Sequence, residues 1–502
     1  MEDCKGGVFS EAGVARLPSF NFGGNRTWMK TRLQSTALNG IFRFQPGWKH
    51  AKQETGDTNM TIRRDFYVNR LIAAKHDNFI KIIVGMRRCG KSYLLFNLFK
   101  QHLLDSGVSP DHIIEIDLER PLVANLVNPI ELDKYIRSRI MSDGQMHYVL
   151  IDEIQYCGKA LPDGIDISRI HPDDRKRMSV DFYRVLNGLR TTPNVDVYVT
   201  GSNSRMLASD IATEFRGRGE TIQVAPLSFE EFANLRQDMR DYHAMLREYL
   251  MFGGLPECVL KTDESLKKAY LSGLCRTIYL KDVQERNNIK DSALLEVLFD
   301  IAMSNVGCLM NPTKFANAVQ TVARIPANHV TVKKYLGFLQ DSYLLSKVNR
   351  YDVRGRHYLD YPAKYYAIDT GIRNVHVNFR QYEPTHLMEN AIYNELVRRG
   401  YAVDVGMTKV ETSSSGKREK RQYEIDFVVN RFSERVYIQS AWMVSDEDKR
   451  EQEIFSLRHT GDSFRKIVVT GDPYEKPWMD DNGITFMGIV PFLLDSKSIE
   501  TL

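Results

Sequence analysis

The stretch Gly85-Met86-Arg87-Arg88-Cys89-Gly90-Lys91-Ser92 lies between an almost wholly apolar run at 80–84 and an apolar, helix-forming stretch at 93–104. No other feature limits the fold of this chain as much. A short run without polar alternation reads as a strand buried on both faces, and such strands occur in parallel sheets covered by crossover helices. In that setting the spacing G-x-x-x-x-G-K-S makes a strand–loop–helix turn. Its glycines let backbone N–H groups curl inward, with the positive end of the following helix behind them, so the loop suits a polyphosphate tail. The predicted contact set is Gly85, Met86, Arg87, Arg88, Cys89, Gly90, Lys91, Ser92 and Tyr93. Lys91 is expected on the β- and γ-phosphates and Ser92 on a Mg2+ ion, with ATP and Mg2+ as the ligands.

Further strands are predicted at 113–117, 148–151, 195–199 and 221–224, and helices near 91–104, 129–140 and 180–190, an α/β alternation. The Gly- and Pro-containing segment 157–179 reads as a mobile surface insertion. The run His147-Tyr148-Val149-Leu150-Ile151-Asp152-Glu153 ends in two acids. Asp152 is expected to hold the Mg2+ shell, and Glu153 to orient and polarise an attacking water. After the next strand, Asn203 or Ser202 is placed to meet the γ-phosphate or its water, the plain alternative being a strand-to-helix cap. Arg218, or Arg216, is a candidate to stabilise charge on the transferring phosphoryl group, within the subunit or across a homo-oligomeric interface. An ordinary solvated arginine is the other reading.

The chain has 502 residues, 43% hydrophobic and 26% charged. At about 150 residues per domain, that balance fits roughly three globular domains. No apolar run spans a bilayer, so a transmembrane protein is not expected and no membrane partner is assigned. The N-terminus lacks an apolar leader, and the six cysteines form no CxxC pair, so a cytoplasmic protein is expected. Residues 1–59 mix polar residues with isolated aromatics and read as a poorly ordered extension without assigned function. A chain start at Met60 is the second reading of that segment.

After Pro226 the pattern is helical over 228–305, broken at Gly253-Gly254-Leu255-Pro256. Strand-like runs return at 343–348, 364–368, 423–429, 435–440 and 466–470, and 411–421 reads as a polar hairpin tip. Helices at 293–302, 312–322 and 330–340 precede a basic hairpin, the outline of a winged helix. The third helix, started by Thr331, carries Lys333, Lys334 and Tyr335, and the hairpin carries Arg350, Arg354, Arg356 and His357. In such motifs the third helix enters the major groove of duplex DNA and the wing touches phosphates. Residues 324–373 hold nine Lys/Arg against four Asp/Glu, a local +5 beside +4 for the whole chain. A rigid lid or protein-docking role is the alternative.

These segments together resemble the prokaryotic AAA-type ATPases whose loop reads G-x-R-R-x-G-K-[ST], fused to a C-terminal domain of uncharacterised function. The resemblance rests on that loop, LIDEIQ at 150–155, TGSNS at 200–204, PLSFEEF at 226–232, FGGLPE at 252–257 and KYYAIDTGIRN at 364–374. It runs from about residue 60 to the end. It implies an α/β fold: an AAA+-like αβα core at 60–228, a helical lid at 229–290, a winged helix at 291–356 and a restriction-endonuclease-like domain at 357–502.

Within the last segment, Glu389, Asp426 and Gln439 look like a PD-(D/E)xK arrangement around Mg2+, but the position of its lysine is Ala441. A neutral Gln439 and an inert Ala441 leave little to activate water, so a degenerate, non-cleaving domain is expected. Lys449 is the one nearby substitute for the lysine. The leading expectation is an Mg2+-dependent ATPase whose nucleotide state controls a DNA-binding C-terminal half. The alternatives are a nucleotide-gated signalling switch that docks a protein partner, and an ATP-dependent nuclease.

Overall fold

Five parallel strands form the first sheet: β1 (Ile80–Val84), β2 (Ile113–Asp117), β3 (His147–Asp152), β4 (Val195–Gly201) and β5 (Gly219–Gln223), in the order β2-β3-β4-β1-β5. The computed structural model describes residues 62–162, 171–201, 215, 217–236, 241–380, 382–414, 417–444 and 446–500. β1 and β3 are buried along their whole length, as strands with helices on both faces must be. β4 separates β1 from β3, so the carboxyl ends of all three open onto one crevice. The helix after β1 runs as Lys91–Tyr93, a π segment Leu94–Phe99 and Lys100–Asp105. Helices Pro129–Arg139 and Phe182–Arg190 are capped by the side chains of Asn128 and Asp181.

The described part of 157–179 is more regular than an insertion loop. Lys159–Ala160 pairs with Val180–Asp181, and Pro172–Met178 is a helix. That pairing delays the expected helix at 180 to Phe182, where Asp181 can cap it.

The segment expected to be a lid, called the lid below, is helical: Phe229–Leu235, begun by a Ser228/Glu231 capping box, Tyr242–Phe252, Pro256–Val259, Glu264–Leu274 and, after a π turn at Cys275–Tyr279, Leu280–Arg286. Ser292–Ser304, Pro312–Ala323 and His329–Asp341 follow. The last begins two residues before Thr331, because Asn328 supplies the cap by accepting the Thr331 N–H.

The second sheet has eight strands: β6 (Leu345–Asp352), β7 (His357–Ala367), β8 (Ala402–Ser414), β9 (Lys417–Arg431), β10 (Glu434–Ala441), β11 (Arg465–Thr470), β12 (Trp478–Met479) and β13 (Ile484–Gly488). Their order is β12-β13-β11-β10-β9-β8-β6-β7. The hairpin β6–β7 is therefore no free wing. β6 pairs in parallel with β8, and residue 356 falls in the turn of this one hairpin. The polar residues of 411–421 pair as strand up to Ser414↔Lys417, and the tip itself, 415–416, lies outside the described residues. One apolar cluster contains Ile83 of the first sheet, Phe252 of the lid, Leu298, Leu336 and Phe427 of the second sheet. The described residues belong to one unit, Met60–Leu502.

Candidate functional site

The loop after β1 is shaped by close contact. A Cβ at Gly85 would stand 2.2 Å from the Val224 carbonyl oxygen, so no larger residue fits where the loop leaves the strand. Arg64 secures the loop from below. Its guanidinium donates to the carbonyls of Cys89 at 3.0 Å and Ala225 at 2.7 Å and pairs with Glu231 at 3.0 Å. The Lys91 ammonium is buried and donates to the carbonyls of Gly85 and Met86, both at 3.1 Å. It is thus held at the loop by weak acceptors that an anionic phosphate would outcompete.

Asp152, at the end of β3, accepts hydrogen bonds from the hydroxyls of Thr200 and Ser92. Burial pushes its carboxyl up to about 6, against those two hydrogen bonds. Thr200 also accepts the Glu153 N–H at 3.0 Å, so one hydroxyl at the end of β4 ties the two acids together. The Glu153 backbone is left-handed, with φ 52°, and its carboxylate accepts the Gln155 amide. Ser92, Asp152 and Glu153 therefore meet in one place. A hydroxyl and a carboxylate already within hydrogen-bond reach are a donor set that fits Mg2+. Thr200 was not singled out from the sequence. Its signal was its place at the end of the strand between the other two.

Other members of the predicted set fall differently. Ser202, Asn203 and Arg216 lie outside the described residues. Arg218 is exposed, and its carbonyl accepts the Ile80 N–H at 3.1 Å. It thus stands at the amino edge of the sheet, a five-residue strand or roughly 13 Å from the phosphate loop. That placement removes a catalytic role for Arg218 inside its own subunit. Arg87 and Arg88 turn toward the lid. Arg87 donates to both Asp282 oxygens and to Glu119, each at 3.0 Å, and its carbonyl accepts the Tyr279 hydroxyl at 2.9 Å. Burial alone would lower the Arg87 pKa, but Asp282 and Glu119 raise it. Arg88 lies 3.9 Å from Glu257.

Comparison with known proteins fits this geometry. A family model described as an AAA domain matches residues 77–233, and one described as a domain of unknown function (DUF8612) matches 243–383. An uncharacterized protein of Haemophilus influenzae is 33% identical over 86% of this chain and 98% of its own length. The chain belongs to that protein's family. It is an ATP-binding, AAA-type P-loop protein. An uncharacterized protein of Methanocaldococcus jannaschii is 27% identical over 85% of this chain and 90% of its own. A solved structure, the Walker-type ATPase of Pyrococcus abyssi, aligns with TM-score 0.42 and 15% identity, covering 63% of this chain and 96% of that one.

In this AAA protein the lid is locked to the C-terminal half by two of the motifs read from sequence. Asp369 accepts the Gly254 N–H at 2.8 Å and the Ile372 N–H at 3.1 Å. A Cβ at Gly253 would sit 2.1 Å from the Asp369 carboxylate, and one at Gly254 would sit 2.2 Å from the Leu227 carbonyl oxygen, so FGGLPE needs both glycines. Burial pushes the Asp369 carboxyl up to about 6, against its backbone hydrogen bonds. Asn374 donates to the carbonyls of Leu250 at 3.0 Å and Met251 at 2.8 Å, closing the end of helix Tyr242–Phe252.

The expected C-terminal metal centre has a different occupant. Glu389, from helix Pro384–Arg398, and Asp426, from β9, do converge, but on the ammonium of Lys364 from β7. The Lys364 Nζ lies 2.7 Å from Glu389, 2.7 Å from Glu424 and 3.2 Å from Asp426. The Tyr366 hydroxyl donates to Glu389 at 2.6 Å. Gln439 does not face the cluster as a free ligand, because its Oε1 accepts the Asp426 N–H at 3.3 Å. Ser440 N–H holds the other Asp426 oxygen at 2.9 Å. Burial would lower the Lys364 pKa, but Glu389 and Glu424 raise it well above the ordinary value, so the ammonium persists. Burial pushes Glu389 up, against the attraction of Lys364.

These residues do not fit a Mg2+ ion, because a fixed cation already bridges the acids and the third ligand is engaged. Lys449 is not the substitute lysine; it pairs with Glu453 at 3.2 Å on a surface helix. A lysine followed by Tyr365-Tyr366-Ala367 in a strand was the signal that could have revealed Lys364, since a lysine in an apolar run needs buried partners.

The basic segment 324–373 is also sorted by the fold. Tyr335 is buried and faces the core, not a groove. Lys364 and Arg373 are buried in ion pairs, Arg373 with Glu383. Arg324, Lys333, Lys334, Arg354 and Arg356 are exposed.

Proposed function

We propose that this protein is an Mg2+-dependent ATPase whose nucleotide state is passed through the lid to a C-terminal half that binds duplex DNA. The observation that carries this reading is the position of Arg87. It belongs to the phosphate loop yet is bound to Asp282 on the lid, and the same lid is locked to Asp369 of the C-terminal half. A triphosphate entering the loop changes the charge beside Arg87 and competes with Asp282 for its guanidinium. Lys91 would follow the phosphates, Ser92 and Asp152 would hold Mg2+, and Glu153 would orient water once Gln155 releases its carboxylate. Bound Mg2+ supplies charge neutralisation between the phosphates. Lys333 and Lys334, exposed on one helix, and the exposed Arg324, Arg354 and Arg356 are the cations that would meet DNA phosphates.

The test is ATP turnover with and without duplex DNA, run on wild type and Lys91→Ala together. Wild-type turnover that changes with DNA and vanishes in the variant is expected. Equal turnover in both proteins would reject the site, and turnover indifferent to DNA would reject the coupling.

The hydrogen bond between Gln155 and Glu153 favours a second reading, in which ATP is held with little turnover and the protein acts as a switch. Rapid hydrolysis by wild type would set that reading aside. The engagement of Gln439 by the Asp426 N–H leaves the Glu389 cluster short of a metal ligand and speaks against a nuclease.

A further inference from the structure

A basin of about 620 Å³ lies on the second sheet beside the β9–β10 turn, within the 300–1,000 Å³ range of small-ligand sites. Its wall carries three arginines, Arg354, Arg356 and Arg435, and three aromatic rings, Tyr351, Phe432 and Phe464. Phe432 stands out by its exposure. It is 99% exposed, and its φ of 54° places a bulky residue in the left-handed region, where Asn or Gly would sit at lower cost. The backbone conformation serves the two-residue turn that joins Arg431 to Glu434, but the exposed ring packs into no core. What sets this ring apart from a lone surface residue is its place on one wall with two further rings and three arginines.

The arginines are arranged rather than loose. The Arg435 guanidinium lies 4.9 Å from the Tyr351 ring centre and 5.6 Å from that of Phe464, and its Nε donates to Asn430 at 2.8 Å. The Arg354 Nε donates to the His459 carbonyl at 3.1 Å, which leaves the far end of an exposed side chain toward solvent. Arg356 is exposed and has no side-chain partner among the described residues.

We propose that this basin binds an unpaired nucleotide of a single nucleic-acid strand, with the base stacked on Phe432 and the phosphates among Arg354, Arg356 and Arg435. Aromatic platforms flanked by cations are the physical form of single-strand recognition. A duplex hides the faces of its bases and offers Phe432 nothing to stack on. An acidic peptide has no planar face to offer Phe432. The inference rests on the reading of the C-terminal half as a nucleic-acid binder, and it adds a single-stranded segment beside the duplex as the preferred ligand.

The test is fluorescence anisotropy of the full chain with labelled oligo(dT) and, separately, a labelled duplex. Phe432→Ala is expected to weaken oligo(dT) binding about 10-fold and leave the duplex unchanged. Phe432→Trp should restore the affinity, and Arg356→Glu should weaken oligo(dT) and flatten its salt dependence. Oligo(dT) binding that is equal in wild type and Phe432→Ala would overturn the proposal, as would displacement of oligo(dT) by polyglutamate at equal concentration. Duplex binding without oligo(dT) binding would sink this inference alone. Failure to bind either would remove the nucleic-acid reading with it.

Discussion

At the scale of single residues, Asp152 has the most to reveal. Its carboxyl is raised to about 6 by burial, whereas an unfolded aspartate titrates near 4. The protonated form cannot ligate a cation. The apparent affinity for Mg2+-ATP is therefore expected to rise as pH increases through about 6 and to fall below it. Calorimetry in buffers of differing ionisation enthalpy should show a proton released on binding. Binding that is flat across that window, with no proton released, would mean that Asp152 is not a ligand. Glu153→Gln should retain nucleotide affinity while turnover falls by roughly 100-fold or more, the usual effect of losing a positioned base. A single-turnover assay separates the two quantities.

At the scale of elements, the loop, the lid and β7 each show a side chain whose partner lies on another element. Arg87→Ala removes the Asp282 and Glu119 contacts but no loop backbone. It should keep ATP binding within a few-fold and weaken the response of turnover to DNA, which the paired assay reads directly.

Lys364→Ala leaves Glu389, Glu424 and Asp426 together without their cation, a change of the kind that costs about 3–5 kcal/mol. Thermal denaturation should show a lower Tm in the variant. Mn2+ should recover part of that loss in the variant and do nothing at this site in the wild type. A wild-type Mn2+ site abolished by Asp426→Ala would contradict the lysine-bridged arrangement.

At the scale of the whole molecule, one apolar cluster joins first sheet, lid and second sheet, so a ligand that stabilises one half should also delay unfolding of the other. Mg2+ with a slowly hydrolysed ATP analogue should raise the Tm of both halves. Two resolved transitions, only one of them shifted, would show that the halves are energetically separate.

What could be read along the chain was whatever depends on neighbours in sequence. The strands at 80–84 and 113–117 show as apolar runs, and the phosphate loop shows because Gly85, Gly90, Lys91 and Ser92 act through adjoining backbone. The acids at 152–153 show because they end such a run. The fold decided everything that depends on residues far apart. It turned Arg87 to the lid, put Arg218 at the wrong edge of the sheet, buried Tyr335, and carried Lys364 across to acids 25 and 62 residues away. Local periodicity encodes burial and turn chemistry within a few residues, whereas an ion pair records only where two distant elements come to rest.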